Sequence, residues 1–208
     1  MRRLLSAVRH NRAFELVLVV AIAVGLALSV QAYAVKPYRI PSESMEPTLK
    51  VGDRVLVNRF SHRLGSEPKV GQIVVFHPPS GAESSPPRCG DSSQGGGTAT
   101  PCSRPTRSAS SQTFVKRVVA VGGDRIAIQH GRVARNGKLA KEPFAAPCGE
   151  ALDCDLPRAI TVPDDYVFLM GDNRGRSEDS RFWGPVPVSW VIGQAVAVYW
   201  PPGHVGSP

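Results

Sequence analysis

A chain of 208 residues with 42% hydrophobic content is long enough for one domain with a full core and too short for several large ones. The formal net charge of +8 is spread along it, with no dense Lys/Arg block and no interleaved basic and aromatic stripe, so no nucleic acid is expected as a partner. Gly 20 and Pro 19 point to many turns.

Residues 1–13 carry Arg2, Arg3, Arg9 and Arg12. Residues 14–35 are then apolar apart from Glu15, Ser29 and Gln31, with a break at Gly25. About twenty apolar residues suffice to cross the hydrocarbon core of a bilayer, and arginines before them predict a cytoplasmic N-terminus. The expectation is a basic cytoplasmic segment (1–13), a single transmembrane anchor (14–35) in contact with lipid, and an extracytoplasmic body (36–208). A cleaved secretory signal is the competing reading, because Ala32-Tyr33-Ala34 has the small-x-small pattern that precedes cleavage sites. The apolar stretch is longer than a usual signal core, which favours the anchor. No lipobox cysteine borders it, so a lipoprotein is not expected.

Past Val51 the pattern shortens to strands. Asp53 to Asn58 alternates apolar and polar residues, and Gln72 to Phe76 stops at Pro78-Pro79. In residues 80–112, Ser, Thr, Gly and Pro fill 21 of 33 positions. Such a segment has little apolar surface to bury and reads as a flexible low-complexity surface loop. Thr113 to Val121 returns to strand. Asp124 to Gln129 and Arg132 to Arg135 read as a hairpin, with Asn136-Gly137 as a turn signal. Tyr166 to Met170 and Val191 to Trp200 complete the set. No strand alternates with a helical pattern, so the fold class expected is mainly β, an antiparallel sheet behind one N-terminal helix.

The four cysteines suit an oxidising compartment. Cys148 and Cys154 are near neighbours and make one expected pair, Cys89 and Cys102 the other; spacing alone leaves the connectivity open. Zinc is the alternative, but neither pair has Cys-x-x-Cys spacing and no His cluster lies nearby, so no metal is expected.

Three stretches carry chemistry. Ser44 lies in Pro41-Ser42-Glu43-Ser44-Met45-Glu46-Pro47, a tight loop no more than about 30 Å of chain from Val35. A serine hydroxyl is a weak nucleophile and needs a base. In Phe114 to Val121, alternation puts Phe114, Lys116, Val118 and Ala120 on one face. Burial of that face would lower the Lys116 pKa from near 10.4 by up to about 3–5 units and make its amine a base. The strand alone leaves open whether the face is core or solvent. His62, His77, His130 and His204 stand in polar, turn-like contexts and His10 on the far side of the expected membrane, so a Ser-His-Asp site is the minor alternative. The third stretch, Gly171 to Pro185, follows an apolar strand and is rich in Asp, Arg and Ser. Its acidic spacing does not match an EF-hand.

These stretches together resemble the bacterial type I signal peptidases, membrane-anchored serine endopeptidases with a Ser-Lys dyad. The resemblance rests on Ser44-Met45 with Pro47-Thr48-Leu49, Gly52-Asp53-Arg54-Val55, Lys116-Arg117-Val118 through Gly123-Asp124, and Gly171-Asp172-Asn173 through Ser177, Asp179, Ser180 and Arg181. It implies a nucleophile at Ser44 and a general base at Lys116. It implies that the Ser42 hydroxyl and the Ser44 backbone N–H hold an oxyanion, that Ser177 orients the lysine, and that Asp179 and Arg181 support the site. Ile40, Met45, Leu49, Phe114 and Val115 match positions lining apolar pockets for an Ala-x-Ala sequence. The partners implied are signal-peptide-bearing preproteins and membrane lipid; the location implied is the plasma membrane; no cofactor is implied. The long 80–112 segment and a short region between Gly123 and Gly171 depart from the family pattern. Self-cleaving Ser-Lys repressors resemble the same fold, but this chain has no DNA-binding helix pair. A β module that binds and catalyses nothing is the reading from another class.

Overall fold

The computed structural model describes residues 12–60, 65–149 and 154–208. A helix, α1 (Arg12–Ala34), runs directly into the first of the eleven strands among the described residues. These are β1 (Val35–Arg39), β2 (Arg54–Asn58), β3 (Ile73–Phe76), β4 (Phe114–Val121), β5 (Arg125–Gln129), β6 (Arg132–Arg135), β7 (Lys138–Leu139), β8 (Leu156–Thr161), β9 (Tyr166–Met170), β10 (Val186–Pro187) and β11 (Val191–Trp200). A one-turn helix, α2 (Ser180–Trp183), lies between β9 and β10.

Seven strands form one sheet in the order β1-β2-β11-β3-β4-β9-β10, and four form a second in the order β7-β6-β5-β8. All the pairings are antiparallel, as expected from the absence of alternating helices. Alternation puts apolar side chains on both faces of the larger sheet. Val55, Val57, Ile73 and Val75 face a cluster with Ile40, Met45 and Leu49. Val74, Phe76, Val118, Val167 and Leu169 face another with Trp183 and Ala82. A third cluster joins the sheets: Val119, Ala120, Phe168 and Met170 meet Ile126, Ile128, Val133 and Ile160. Phe114 and Val118 share a cluster, as expected of one face of β4, but Ala120 does not. The pairing of β4 with β9 slips one residue between Val118 and Ala120, and a bulge turns the strand over.

Several expectations are adjusted. Asn136-Gly137 closes the turn between β6 and β7, whereas the β5–β6 turn is made by His130 and Gly131, both at positive φ. Strands β1 and β8, and the two-residue β7 and β10, are additions to the expected set. β1 continues the apolar run, and β8 carries exposed Pro157, Arg158 and Ala159 that hide its alternation. Residues 80–112 contain no helix or named strand, yet they are not a free loop. Ala82 and Cys102 are fully buried, Cys89 and Cys102 are joined, and Ser80 and Ser110 bond back to Ser108 and Pro78. The expectation weighed only apolar burial; backbone hydrogen bonds and the cross-link hold this segment. Cys148 pairs with Cys154, so both expected bridges form.

α1 occupies the stretch expected to be an anchor. Its described apolar side chains from Phe14 to Val24 are 49–66% exposed, so the body does not cover them. Among the described residues no helix is long and apolar enough to cross a membrane.

Candidate active site

Ser44 sits in a one-turn 3₁₀ helix, Glu43–Met45, between β1 and β2. Backbone bonds from Ile40 to Asp53 and from Gly52 to Ile40 close the ends of this loop, while Met45 and Leu49 pin it into the core. The hydroxyl therefore projects from a fixed turn and is 8% exposed. Lys116 reaches it from the middle of β4, and its Nζ donates to Ser44 Oγ at 2.6 Å. Val74 lies opposite Lys116 across the β3–β4 pairing, and Phe114 and Val118 flank it two residues away. This face is core rather than solvent, and Lys116 is 5% exposed. Burial penalises the ammonium and lowers its pKa to about 8, with Arg181 acting in the same direction and the carboxylates of Asp179, Glu178 and Asp172 against it.

Those carboxylates come from the segment where β9 ends. Burial would raise the Asp179 carboxyl, but Arg181, the Gly171 N–H and Lys116 together outweigh it and hold the group below its ordinary value. Arg181 donates from Nε to Asp179 Oδ1 at 2.8 Å and from Nη2 to Oδ2 at 3.0 Å, a forked pair with both side chains buried. Arg181 also donates to the carbonyls of Arg174 and Ser177, and Asp179 accepts from the Gly171 N–H. Gly171 is the point of closest approach. A Cβ there would overlap both the Ser177 side chain and the Ser44 carbonyl oxygen. Asn173 clamps the serine turn from this side: its N–H donates to the Ser44 carbonyl at 3.1 Å and its Nδ2 to the Glu43 carbonyl at 3.2 Å.

A cleft of about 410 Å³ opens beside the hydroxyl. Ile40, Met45, Phe114 and Val115 line it as expected, together with Tyr38 and Thr113, which the sequence did not single out. Leu49 does not line it; the residue is fully buried under β2 and β11. Ser42 is exposed at the rim, its Oγ 3.3 Å from Ser44 Oγ. Ser177 is buried beside Gly171, but among the described residues its hydroxyl has no hydrogen-bond partner, so the expected bond to the Lys116 amine is not made. The backbone carbonyl of Ser177, not the side chain, is what Arg181 holds.

Sequence reading missed a second buried pair. Arg117, next to Lys116, donates from Nε and Nη2 to the two Asp172 oxygens at 2.9 and 2.7 Å, and stacks its guanidinium 4.0 Å from the Phe144 ring centroid. Thr48 completes it, donating to Asp172 at 2.6 Å. Arg117 alternates with Lys116 along β4, yet both side chains are buried. A third pair, Arg174 with Glu142, ties the smaller sheet to the same segment at 2.7 Å. His10 and His62 lie outside the described residues. His77, His130 and His204 contact Gln112, Asp155 and Asp53 and none bonds a serine, which leaves the Ser-His-Asp alternative without geometry. Among the described residues no group of three or more His, Cys, Asp or Glu could hold a metal ion.

Residues 13–200 match the model of one family, described as signal peptidase, peptidase S26. The chain is 35% identical to a probable signal peptidase I-1 of Synechocystis, over 89% of this chain and 81% of that one. It is 32% identical to a probable signal peptidase I of Mycobacterium leprae, over 96% and 81%. It is 34% identical to a probable chloroplastic thylakoidal processing peptidase 2 of Arabidopsis thaliana, over 88% and 43%.

Proposed function

The chain belongs to the signal peptidase family, peptidase S26, and is a serine peptidase; from that premise we propose that it removes N-terminal signal peptides from exported preproteins through a dyad of Ser44 and Lys116. The observation that carries the reading is the 2.6 Å contact between the Lys116 amine and the Ser44 hydroxyl, both buried. A lysine in water is protonated at neutral pH and cannot act as a base. With a pKa of about 8, an appreciable fraction of Lys116 is neutral near neutrality. The hydrogen bond then reverses, with the hydroxyl donating to the amine.

The steps follow from that proton. Lys116 takes the Ser44 proton as Oγ attacks the scissile carbonyl. The oxyanion forms within reach of the Ser44 N–H and the Ser42 hydroxyl, and removal of one such donor typically costs about 10²–10³ in kcat. Collapse expels the new amine of the mature protein, which takes the proton back from Lys116. Water, deprotonated by Lys116, then attacks the ester, and the lysine returns that proton to Ser44 Oγ as the cleaved signal peptide leaves. The cleft beside Ser44, lined by Ile40, Met45, Phe114 and Val115, suits small side chains before the scissile bond. Ser177, Asp179 and Arg181 are positioning residues, since none touches the place where the carbonyl would sit. None of these steps requires a cofactor.

We also propose that residues 14–35 anchor the chain in the plasma membrane, with residues 1–13 cytoplasmic. The run of about twenty mostly apolar residues in the sequence supports this, and the body leaves the described apolar side chains uncovered. Because α1 passes straight into β1, the serine turn would lie at the membrane surface, where a signal peptide leaves the bilayer.

The test is cleavage of a purified secretory precursor in detergent by wild type, Ser44→Ala and Lys116→Ala, with the new N-terminus sequenced. Cleavage after Ala-x-Ala by wild type, lost in both variants, is expected. Cleavage that survives Lys116→Ala would overturn the dyad.

A further inference from the structure

The inserted segment 80–112 has no part in the mechanism above, yet it packs against the chain that carries Asp179 and Arg181. The Cys102 N–H donates to the Arg181 carbonyl at 3.0 Å. Gly95 lies so close to α2 that a Cβ on it would come within 2.8 Å of the Phe182 carbonyl oxygen. Gly184, just past α2, meets the backbone of Arg104 and Pro105 as closely. Ala82 is buried in the same cluster as Trp183. The Cys89–Cys102 bridge closes the segment, and the Gly90 N–H donates to the Arg104 carbonyl at 2.8 Å beside it. Arg181 is thus held at both ends: its main chain by the insertion, its guanidinium by Asp179 and by the carbonyls of Arg174 and Ser177.

We propose that the Cys89–Cys102-closed insertion is a positioning element for the reaction, a strut that presses α2 and the Asp179–Arg181 pair against the Lys116 side of the site and so keeps the amine dry. This rests on Lys116 being the base. Trp183 of α2 packs in one cluster with Val118 and Phe114, the residues that flank Lys116 along β4. The charges that act on that amine are those of Asp172, Glu178, Asp179 and Arg181; the last three belong to the braced segment, and Asp172 is occupied by Arg117. If the brace is lost, α2 loosens, water reaches Lys116, and the ammonium is favoured again.

The experiment is the pH profile of kcat/KM for precursor cleavage, compared between wild type, Cys89→Ser/Cys102→Ser and Gly95→Ala. Gly95→Ala leaves the bridge intact and pushes on Phe182 at a position with φ of +91°, where an L side chain is strained. The strut predicts that both variants raise the midpoint of the ascending limb by about one pH unit and lose about tenfold in kcat/KM below it. Wild-type profiles in both variants would overturn it. So would lost activity at an unchanged midpoint, which would make the insertion a substrate contact or a plain stabiliser. If the double variant does not fold, Gly95→Ala decides alone. Wild type without a limb near pH 8 would instead remove the dyad on which the strut depends.

Discussion

The two halves of β4 each bury residues in the interior and do opposite things. Lys116 and Arg117 in the first half are 5% and 8% exposed; Val118, Val119 and Ala120 in the second are 0–4%. Burial does not distinguish them, but the neighbour does. β3 pairs with Phe114–Arg117 and β9 with Arg117–Val121, so β9 stops at Met170 just where the charged half begins. Beyond that point the side of β4 that a strand would cover is met instead by the chain that follows β9, whose Asp172 holds Arg117. A sheet that loses a partner strand halfway supplies both things a lysine base needs, exclusion of water and a few fixed charges.

The sharpest way to break this contrast is to remove the chemistry from the polar half. Ser44→Ala and Lys116→Ala are each expected to lower kcat by on the order of 10⁴ or more, as the members of a catalytic unit do. Single-turnover cleavage of a precursor reads this, and a variant retaining a tenth of wild-type activity would end the comparison. Next comes the pair that closes the polar half. Asp172→Ala strands Arg117 in the interior and should cost about 3–5 kcal/mol in denaturant unfolding. Arg117→Met/Asp172→Leu should cost less than Asp172→Ala alone, because neither charge is then left unpaired.

The third effect is the pH response of the buried amine. Its folded pKa of about 8 lies below the 10.5 of a free lysine, so between those values the unfolded chain holds more protons. Stability must therefore rise with pH from about 8 to about 10.5, and below 8 the full penalty of burying the ammonium stands. At about 1.4 kcal/mol per pH unit that penalty is about 3 kcal/mol. Thermal unfolding across this window should show the rise in wild type and a correspondingly flatter curve in Lys116→Met. The smallest effect belongs to the apolar half: Val118→Ala should cost about 2 kcal/mol of stability through lost packing. The midpoint of its cleavage profile should stay at that of wild type; a shifted midpoint would show that the two halves are not separable.

The sequence carried much of this strand and little of what surrounds it. Alternation around Lys116 is a local signal, and it put the amine on the face of Phe114 and Val118 correctly. It failed at Ala120, because a bulge depends on the register with β9, which no single strand reveals. Asp179 and Arg181, two residues apart, were legible as a pair. Arg117 and Asp172 lie 55 residues apart and meet only once β4 and β9 are aligned. Ser177 shows the limit from the other side: it is buried beside Gly171, but among the described residues its hydroxyl lacks the expected hydrogen bond, since a motif fixes position along the chain and not rotamer. Leu49, expected at the cleft, went to the core because the loop from Ser44 back to β2 folds under the sheet. Residues 80–112 misled for a different reason. Their composition says that apolar burial cannot order them, and it is silent on a disulfide and a ladder of backbone bonds that can.

Gly171 gives this site an unusual mutational profile. Two other stretches of chain, at Ser44 and at Ser177, close in where it has no side chain, and its φ is not among the positive ones, so it is space rather than backbone freedom that it supplies. An added methyl would meet the Ser44 carbonyl and the Ser177 side chain at once, moving the nucleophile and the lysine's surroundings apart while leaving every reactive atom in the chain. In an unbiased substitution scan scored by precursor processing, this position should rank beside Ser44 and Lys116. An inventory of functional groups would pass over it, because what it contributes to the reaction is an empty volume the size of one carbon atom.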